Sequence, residues 1–344
     1  MKHKDFLKIL DSVKQDVTSK NRNSDILVID SLNTFLRCFT TVNILNARGH
    51  HIGGLTGFLR SMGAAIKLIK PTRVILVFDG LGGSDSKKNL YPDYKGNRKT
   101  KRVTNWDSFE SRDEEDNSMK SQLARLIDYL ECLPLDIIIV DKVEADDVMA
   151  FISNDMASKD THITFMSTDQ DFLQLISENV SVYIPNRKKI YTPEKLKEEF
   201  FVYPVNFLTK KVLMGDSSDN LPGVYGLGEK KLAKLFPELQ EDKLFDIEDV
   251  YKKCELNIDI LLHQRILNFK KQLNINKQLM NLHEPNISDN IADEINTIVG
   301  QKATHLNMSM FNKFFDDDLL EKSFKNVDPW LAECFRDLNI YSKK

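Results

Sequence analysis

The sequence lacks the features of a disulfide-bonded or a membrane protein. Only four of its 344 residues are cysteine, and none forms a CxxC pair or lies near a histidine at a zinc-like spacing. We therefore expect buried, reduced thiols in a cytoplasmic protein, or in the host cytoplasm if the protein is viral. No apolar run approaches the about 18 residues of a membrane span. The basic N-terminus has no apolar signal core, which argues against secretion.

The sequence also lacks a large net charge of either sign. It has 48 basic and 51 acidic residues, so the formal net charge is −3. A global basic field for nucleic acid is therefore absent, and local basic patches decide whether such a partner is bound. The length suffices for about two domains with a sizeable core, and the hydrophobic content of 41% is ordinary for a soluble globular protein.

What the sequence does contain is a set of carboxylates in five short groups. The groups are Asp30; Asp79; Glu144, Asp146 and Asp147; Asp169 and Asp171; and Asp216 and Asp219. The first four groups follow short β-rich apolar runs, whereas the last has no such run before it. The runs predict strands near 26–30, 73–79, 136–140, 162–167 and 180–184, separated by helical stretches.

This alternation predicts an α/β fold with a parallel sheet and helices on both faces. Ligand sites in such sheets form beyond the carboxyl ends of the strands, so most of the acids are expected at one edge. Acids crowded together repel one another unless cations neutralise them. Oxygen-only ligand sets suit Mg²⁺ or Mn²⁺ and do not suit zinc.

A single aspartate after a strand has a simpler explanation, because such residues often cap a helix or form a turn. Capping needs no second or third carboxylate, however, and the groups at 144–147 and 169–171 contain several. Four groups at one predicted edge therefore favour a metal site over capping alone.

The alternation stops between about residues 80 and 118. This charged segment has only scattered apolar residues, which predicts a functional or disordered loop that is mobile without a ligand. Its basic run, residues 95–102, contains Lys95, Arg98, Lys99, Lys101 and Arg102 and follows Tyr91 and Tyr94. A basic run alone is as often a solvated face. Aromatic rings beside the cations favour a nucleic-acid groove, where rings stack bases and cations hold phosphates.

Residues 203–285 have a helical pattern that a glycine hairpin interrupts, with Gly223, Gly226 and Gly228. Glycine permits a positive φ and a close approach of the backbone. A helix is predicted from about residue 229, where N–H groups attract phosphate oxygens and Lys230 and Lys231 add positive charge. Three glycines are common in turns, but their position directly after 216–219 favours a functional hairpin.

The two ends carry weaker signals. Residues 1–23 have apolar residues at helical spacing, which predicts a packed amphipathic helix. The phenylalanine-rich stretch 311–324 predicts a terminal helical subdomain, and its three successive aspartates at 316–318 predict a solvated or capping run and not a metal site.

Six stretches together resemble the 5′ nuclease superfamily, which includes flap endonucleases, phage 5′-exonucleases with ribonuclease H activity and the N-terminal nuclease of bacterial DNA polymerase I. They occur in the family's order: LVID at 27–30, VFD at 77–79, YPDYKGNR at 91–98, VEADD at 143–147, STDQDF at 167–172 and GDSSDNLPGV at 215–224. The size, with no attached polymerase, is most similar to the stand-alone phage enzymes.

The resemblance implies four regions. They are an N-terminal helical extension at 1–23, an α/β nuclease domain at 24–202 with a flexible arch at about 82–118, a helix–three-turn–helix duplex-binding domain at 203–290, and a C-terminal helical region at 291–344. It also implies a monomeric, structure-specific 5′→3′ nuclease that removes RNA primers or 5′ flaps during DNA replication. The expected substrates are a DNA duplex with a 5′ flap and an RNA–DNA hybrid.

The resemblance further implies a two-metal mechanism with Mg²⁺, or Mn²⁺ as a substitute, the ions being about 3.5–4 Å apart. The first ion's set is Asp30, Asp79, Glu144, Asp146 and Asp169, and the second ion's set is Asp147, Asp171, Asp216 and Asp219. Lys95 and Arg98 correspond to the family's catalytic basic pair. Tyr94 is expected to stack an unpaired base, and Lys99, Lys101 and Arg102 to bind nucleic acid. The glycine hairpin is expected to hold duplex backbone, with K⁺ as a further ligand.

Two other functions stay open from the sequence. A catalytically silent flap- or junction-binding protein would be indicated by missing carboxylates, and none is missing. A ribonuclease of the PIN type shares the sheet and some of the acids, but Asp216, Asp219 and the glycine hairpin argue against it. Residues 291–344 either pack on the protein or bind a replication partner such as a single-stranded-DNA-binding protein.

Overall fold

One six-stranded sheet forms the centre of the computed structural model, which describes residues 21–98, 104–105, 107–324 and 326–342. The strands are β1 (Asp25–Asp30), β2 (Arg73–Asp79), β3 (Asp136–Val140), β4 (His162–Met166), β5 (Val180–Ile184) and β6 (Lys189–Tyr191). Their order across the sheet is β3-β2-β1-β4-β5-β6. The first five strands pair in parallel, and β6 pairs antiparallel with β5. The five predicted strands are confirmed, and β6 is an addition.

Helices connect the strands and continue to the end of the chain. The first six are α1 (Ser31–Thr41), α2 (Gly53–Ile69), α3 (Asp85–Leu90), α4 (Arg112–Glu131), α5 (Ala145–Met156) and α6 (Pro193–Phe200). They are followed by α7 (Phe207–Met214), α8 (Glu229–Leu235), α9 (Ile247–Leu256), α10 (Leu261–Asn268), α11 (Lys270–Met280), α12 (Asp289–Gly300), α13 (Met308–Asp317) and α14 (Val327–Phe335). Within the described ranges, no helix is both long enough and apolar enough to cross a membrane.

Alternating side chains of the strands build two cores, one on each face of the sheet. In β1, Ile26 and Val28 belong to one core, whereas Leu27 and Ile29 belong to the other. This division follows from the two-residue period of a strand. The first core continues through α5 into the helices α7 to α12, and the second is covered by α1, α2, α4, α13 and α14. The predicted fold class is confirmed.

The C-terminal helices pack on the second core. Phe311 and Phe315 of α13 and Phe335 of α14 are buried there with residues of α2. The indole of Trp330 lies so close to Gly63 that a Cβ at position 63 would be 2.6 Å from its Nε1. The predicted packing role of the phenylalanines is therefore confirmed, but they pack on the sheet domain and not only on one another.

Arg22, near the start of the described residues, pairs with the first residue of β3. Residues 1–20, which include most of the predicted N-terminal helix, lie outside the described residues. Nη2 of Arg22 donates to Asp136 over 2.7 Å.

Of the aspartate run at 316–318, Asp318 accepts hydrogen bonds from Arg125 Nε over 2.7 Å and from the Tyr129 hydroxyl over 2.9 Å. Asp318 therefore ties α13 to α4.

The segment between β2 and α4 contains more structure than its composition indicates. Helix α3 begins soon after β2, and Phe109 is buried in the second core. The carboxylate of Glu115 is also buried and accepts the N–H groups of Thr104 and Asn105, each over 2.9 Å. The prediction that this segment buries little is therefore wrong for its described part, because a charged side chain and an aromatic ring provide a local core.

Candidate active site

The carboxyl ends of four neighbouring strands bring acidic side chains to one edge of the sheet. Asp30 is the last residue of β1, and Asp79 is the last residue of β2. Glu144 directly precedes α5, which follows β3, and Asp169 lies just beyond β4. Because β1 lies between β2 and β4, these acids meet where the chain order of the sheet reverses. Ligands of open α/β sheets bind at this position.

Hydrogen bonds from the protein orient the carboxylates of two of these acids and the backbone of a third. The buried hydroxyl of Ser167 donates to Asp30 Oδ2 over 2.8 Å and accepts the N–H of Asp169 over 3.0 Å. Asp79 Oδ1 accepts the N–H of Ala145 over 3.0 Å. Ser167 therefore connects the acid at the end of β1 to the acid beyond β4, and Asp79 is tied to the start of α5.

Two of the acids also cap local turns. Oδ1 of Asp30 accepts the N–H of Asn33 at the start of α1, and Oδ1 of Asp169 accepts the N–H of Asp171 over 2.9 Å. The simpler explanation offered by the sequence thus holds for these two residues, but it does not compete with a metal site. Each cap uses one carboxylate oxygen of the acid.

A cluster of three carboxylates lies at the start of α5. Glu144, Asp146 and Asp147 each offer an oxygen, and these oxygens lie within 4.8 Å of one another. Glu144 and Asp147 are buried, and Asp146 is half-buried. Three carboxylates at this spacing form a donor set that hard divalent cations accept. Asp147, expected with the second ion, lies with Glu144 and Asp146.

The ammonium of Lys87, on α3, sits in this cluster. Its Nζ lies 2.7 Å from Glu144 Oε2, 2.9 Å from Asp147 Oδ2 and 3.7 Å from Asp146 Oδ2. Burial opposes the charged form of Lys87, but the three carboxylates outweigh it and raise its pKa well above the usual value. Lys87 therefore neutralises part of the charge of the cluster.

A second lysine, Lys95, at the start of the basic run 95–102, contacts the same glutamate. Nζ of Lys95 donates to Glu144 Oε1 over 2.5 Å, and it lies 4.9 Å from the centre of the Tyr94 ring. Burial opposes ionisation of Glu144, but Lys87 and Lys95 outweigh it and lower the pKa of Glu144 to about 2. Two cations therefore converge on one carboxylate at the acidic edge.

The backbone around Lys95 is fastened to the turn at 216–221. Three hydrogen bonds join them, from Lys95 N to Asp219 O (2.9 Å), from Asn97 Nδ2 to Ser217 O (2.6 Å) and from Asn220 Nδ2 to Asp93 O (2.9 Å). The turn itself is closed by mutual backbone bonds of Asp216 and Leu221. The fifth acid group, which no strand precedes, is thus brought beside the other four.

Two further acids, Asp171 and Asp216, contact another lysine, Lys211. Nζ of Lys211, on α7, lies 2.6 Å from Asp171 Oδ1 and also bonds Asp216 Oδ2. Oδ1 of Asp216 accepts the N–H of Ser218 over 2.7 Å. Burial raises the pKa of Asp216, but Lys211 outweighs it, and the pKa lies below its usual value.

Burial raises the pKa of three further acids, Asp30, Asp169 and Asp171. It raises the pKa of Asp30 to about 7, with a further contribution from the charges of Asp79 and Asp146. It raises the pKa of Asp171 to about 7, with repulsion from Asp169, and that of Asp169 to about 6. These carboxyl groups have little contact with solvent and too little positive charge nearby to stabilise their ionised form. A bound cation supplies such charge.

The donor set therefore fits divalent metal ions. All of the candidate ligands are carboxylates, which suit Mg²⁺ and Mn²⁺, and lysine ammonium groups lie where positive charge is required. Beside them is an open groove of about 600 Å³, lined by Asn33, Thr168, Asp169, Gln170, Lys211, Asp216 and Ser218. The groove gives a polymer backbone direct access to the acids.

Not all of the predicted nucleic-acid contacts agree with the structure. Tyr94 is 2% exposed, and its hydroxyl donates to Glu144 Oε2 over 3.1 Å. Its ring has no open face for a base, so the predicted stacking role is wrong in this conformation; the ring supports Lys95 and Glu144 instead. Lys99, Lys101 and Arg102 lie outside the described residues, as does the side chain of Arg98.

Two of the three glycines of the hairpin are required by the local backbone, each for a different reason. Gly226 has a φ of +80°, as expected for a left-handed turn. Gly223 is in close contact with α7, because a Cβ there would lie 2.0 Å from Met214 O. Gly228 has an ordinary φ of −97° and open space around it. Lys230 and Lys231 are exposed at the start of α8.

The sequence analysis missed Lys87, Lys211 and Ser167. Each acts through contacts with residues distant in the chain, and nothing in the sequence distinguishes Lys87 from the exposed Lys88 or Lys211 from the neighbouring Lys210. The one available signal for Ser167 was its position directly after β4 and before an acid of the edge.

Comparison with known proteins places this chain in a family. A sequence profile described as "5′-3′ exonuclease, N-terminal resolvase-like domain" matches residues 25–201. A 5′-3′ exonuclease of Bacillus subtilis (strain 168) is 31% identical over 234 residues, which cover 65% of this chain and 74% of that relative.

Solved structures agree on the fold. The 5′-exonuclease of bacteriophage T5, solved with bound zinc ions, has a TM-score of 0.61 and 20% identity, covering 86% of this chain and 98% of that one. The D15 flap endonuclease of bacteriophage T5, in a complex with DNA and metal ions, has a TM-score of 0.60 and 20% identity, covering 88% of this chain and all of that one. The profile covers more than half of the present chain. The chain therefore belongs to the 5′-3′ exonuclease family.

Proposed function

We propose that this protein is a structure-specific 5′→3′ nuclease that hydrolyses phosphodiester bonds with two divalent metal ions, Mg²⁺ or, as a substitute, Mn²⁺. Its substrates are duplexes with a 5′ flap and RNA–DNA hybrids, so it removes primers or flaps in DNA replication. The observation that carries the proposal is the convergence of acids from four strand ends and from the 216–221 turn at one edge, beside Lys87 and Lys95.

The geometry supports two ligand groups. We assign Asp30, Asp79, Glu144, Asp146 and Asp169 to the first ion, and Asp147, Asp171, Asp216 and Asp219 to the second. The carboxylate oxygens of Glu144, Asp146 and Asp147 lie within 4.8 Å of one another, so Asp147 lies beside the first set. Two ions held there would supply an activated water at neutral pH and charge neutralisation for the leaving oxygen. The remaining chemistry belongs to side chains of the protein.

Lys87 and Lys95 are placed to stabilise the charge that develops on the reacting phosphate. Both ammonium groups contact the carboxylate of Glu144. Such preorganised donors are worth about 10²–10³ in rate when one of them is removed. The buried Tyr94 ring keeps the Lys95 ammonium near the edge, and Arg98 remains a proposed partner of Lys95.

The helical domain supplies the duplex contact in this proposal. The hairpin at 222–228 and the exposed Lys230 and Lys231 can hold backbone phosphates without reading the sequence, and K⁺ is proposed as a further ligand of the hairpin. Recognition then depends on the structure of the substrate. The flap endonuclease of bacteriophage T5, solved with DNA, supports this part of the proposal.

The test is cleavage of a 5′-labelled flap duplex with and without Mg²⁺, with Asp169→Asn as the matched inactive control. We expect short 5′ products that require Mg²⁺ and are absent with Asp169→Asn. A mobility shift without cleavage would instead identify a silent junction-binding protein. Cleavage restricted to structured single-stranded RNA would identify a PIN-type ribonuclease.

A further inference from the structure

The glycine hairpin displays an aromatic ring that the proposed function leaves unused. Tyr225 is 83% exposed, directly before Gly226 with its φ of +80°. Burial of an exposed tyrosine against a ligand costs little free energy, because its ring is apolar and its hydroxyl group can still form a hydrogen bond. Its position at the turn of the hairpin places it beside the exposed Lys230 and Lys231.

A guanidinium from another helix is stacked on this ring. The Cζ atom of Arg265, on α10, lies 5.2 Å from the centre of the Tyr225 ring. Nη1 of Arg265 also donates to Tyr225 O over 3.1 Å, and Nζ of Lys231 donates to Gly226 O over 2.9 Å. Two successive carbonyl groups of the hairpin thus hold two cations side by side.

These cations keep their charge for an external partner. A carbonyl oxygen orients a cation but carries no formal charge to neutralise it. The nearby Glu229 is paired with Lys210, whose Nζ lies 2.7 Å from Glu229 Oε1. Within the described part of the chain, no carboxylate pairs with Arg265 or Lys231. The hairpin is therefore a local cationic surface in a protein whose net charge is −3.

The chemistry of the pair fits a phosphate backbone. Stacking on an aromatic ring leaves the N–H groups of an arginine in a planar fork, the geometry that binds phosphate oxygens. The covered inner face and open outer face of Tyr225 leave room for a deoxyribose at the same time. A ring and cations held in fixed positions match the regularly spaced phosphates of a duplex better than the phosphates of a flexible single strand.

We infer that Tyr225 and Arg265 form a second duplex contact, in which Arg265 binds a backbone phosphate and Tyr225 holds the guanidinium in place and packs on the adjoining sugar. The contact rests on the proposed function, because it extends the duplex grip of the hairpin. It adds one phosphate to those held by the hairpin amides and the α8 lysines. Within the described part of the chain, neither residue contacts an acid of the edge, so we expect the pair to affect binding and not the chemical step.

The test measures affinity for duplex and for single-stranded DNA across a salt series, with Ca²⁺ in place of Mg²⁺. Arg265→Gln removes the charge and keeps an amide that can donate to Tyr225 O. We expect its duplex affinity to fall about 10-fold near 50 mM salt, and its log–log salt slope to lose roughly one unit. Tyr225→Ala should weaken duplex binding with the slope retained, and Tyr225→Phe should bind like the wild type. Lys70→Gln, an exposed lysine at the opposite end of the sheet, is the control for loss of one charge.

The single-turnover cleavage rate at saturating enzyme should be unchanged in the Lys70→Gln control. Wild-type duplex affinity and salt slope in Arg265→Gln would overturn the inference. An equal loss on duplex and single strand would overturn it too, because the pair would then contact the strand and not the duplex. If the wild-type protein itself neither binds nor cleaves a flap duplex, the proposed function fails, which is a separate outcome from an unaffected variant of an active enzyme.

Discussion

The ammonium nitrogen of Lys211 lies 2.6 Å from Oδ1 of Asp171, inside the groove of the candidate active site. The same ammonium bonds Asp216, so one protein cation joins two acids that are proposed to hold the second metal ion. Burial lowers the pKa of Lys211, but the two aspartates outweigh it and raise the pKa above the usual value. A divalent ion that enters this position must therefore displace a charged lysine.

Replacement of Lys211 by methionine should have opposite effects with and without metal. In chelator, we expect the free energy of unfolding to fall by about 3–5 kcal/mol, because buried acids lose their partner. With Mg²⁺, the increase in melting temperature should exceed that of the wild type and begin at a lower Mg²⁺ concentration. Thermal melts across a Mg²⁺ titration measure both effects. Lys253→Met, which breaks a pair with Glu238 in the helical domain, should destabilise the protein without changing its response to Mg²⁺.

Asp169→Asn should abolish cleavage and preserve binding to a flap duplex. An asparagine oxygen can still accept the N–H of Asp171, so the turn beyond β4 is kept, whereas the negative charge toward the ion is lost. We expect a loss of at least about 10²-fold in single-turnover rate. Asp216→Asn should lose less, because other acids share the second position. Near-normal turnover of Asp169→Asn in saturating Mg²⁺ would contradict the assignment.

Lys87→Ala and Lys95→Ala should each lower the cleavage rate by about 10²–10³, with only a small loss of duplex affinity. Both ammonium groups contact Glu144, so removal of either leaves the acid cluster with less positive charge. Lys88→Ala, one position along α3, is the matched control and should cleave normally. Single-turnover rates at saturating enzyme separate chemistry from binding. A control that loses as much rate as Lys87→Ala would exclude a specific role for Lys87.

The metal-free protein should lose stability as the pH rises from about 5 to 8. Burial raises the pKa of Asp30 and Asp171 to about 7 and that of Asp169 to about 6. A carboxyl group with a raised pKa favours the folded state fully below its unfolded pKa of about 4, and this contribution is lost as the pH rises through the folded pKa. Melting temperatures in chelator test the direction. Mg²⁺ should flatten the profile, and so in part should Asp30→Asn; a melting temperature that rises over this range would refute the explanation.

Gly226→Val should weaken duplex binding and leave the chemical step intact. A β-branched residue at a φ of +80° costs about 1–3 kcal/mol, and the hairpin would relax away from the geometry that holds Lys231 and Arg265. Affinity for duplex DNA in Ca²⁺ and the melting temperature should both fall. Gly228→Ala is the control for stability, since position 228 has an ordinary φ and free space.

The sequence predicted the parts of this structure that depend on local patterns. Apolar runs such as 26–29 and 74–78 marked five of the six strands, and the acids that follow them marked the edge of the site. Strand β6 was missed because Lys189–Tyr191 is too short and too polar to be distinguished from a turn. The three glycines of the hairpin were expected to permit a positive φ or a close approach of the backbone; Gly226 has the positive φ and Gly223 the close approach, whereas Gly228 has neither.

The contacts that determine the electrostatics of the site could not be predicted in this way. Lys87 and Lys211 lie among their carboxylates only because α3 and α7 pack against the edge of the sheet. Tyr94 was misassigned for the same reason: an aromatic ring beside cations indicates either a stacking surface or a packed support, and the chain position does not distinguish the two. The depth of burial that raises the pKa of Asp30 also depends on the complete fold.

The bond between the Lys95 amide and the Asp219 carbonyl has a mechanical consequence. Together with the bonds of Asn97 and Asn220, it joins residues 93–97, at the start of the basic run, to the turn at 216–221. The helical domain continues from this turn. The position of the Lys95 ammonium thus depends on the position of that turn. The acidic edge and the start of the helical domain are therefore held together at Lys95 as one mechanical unit.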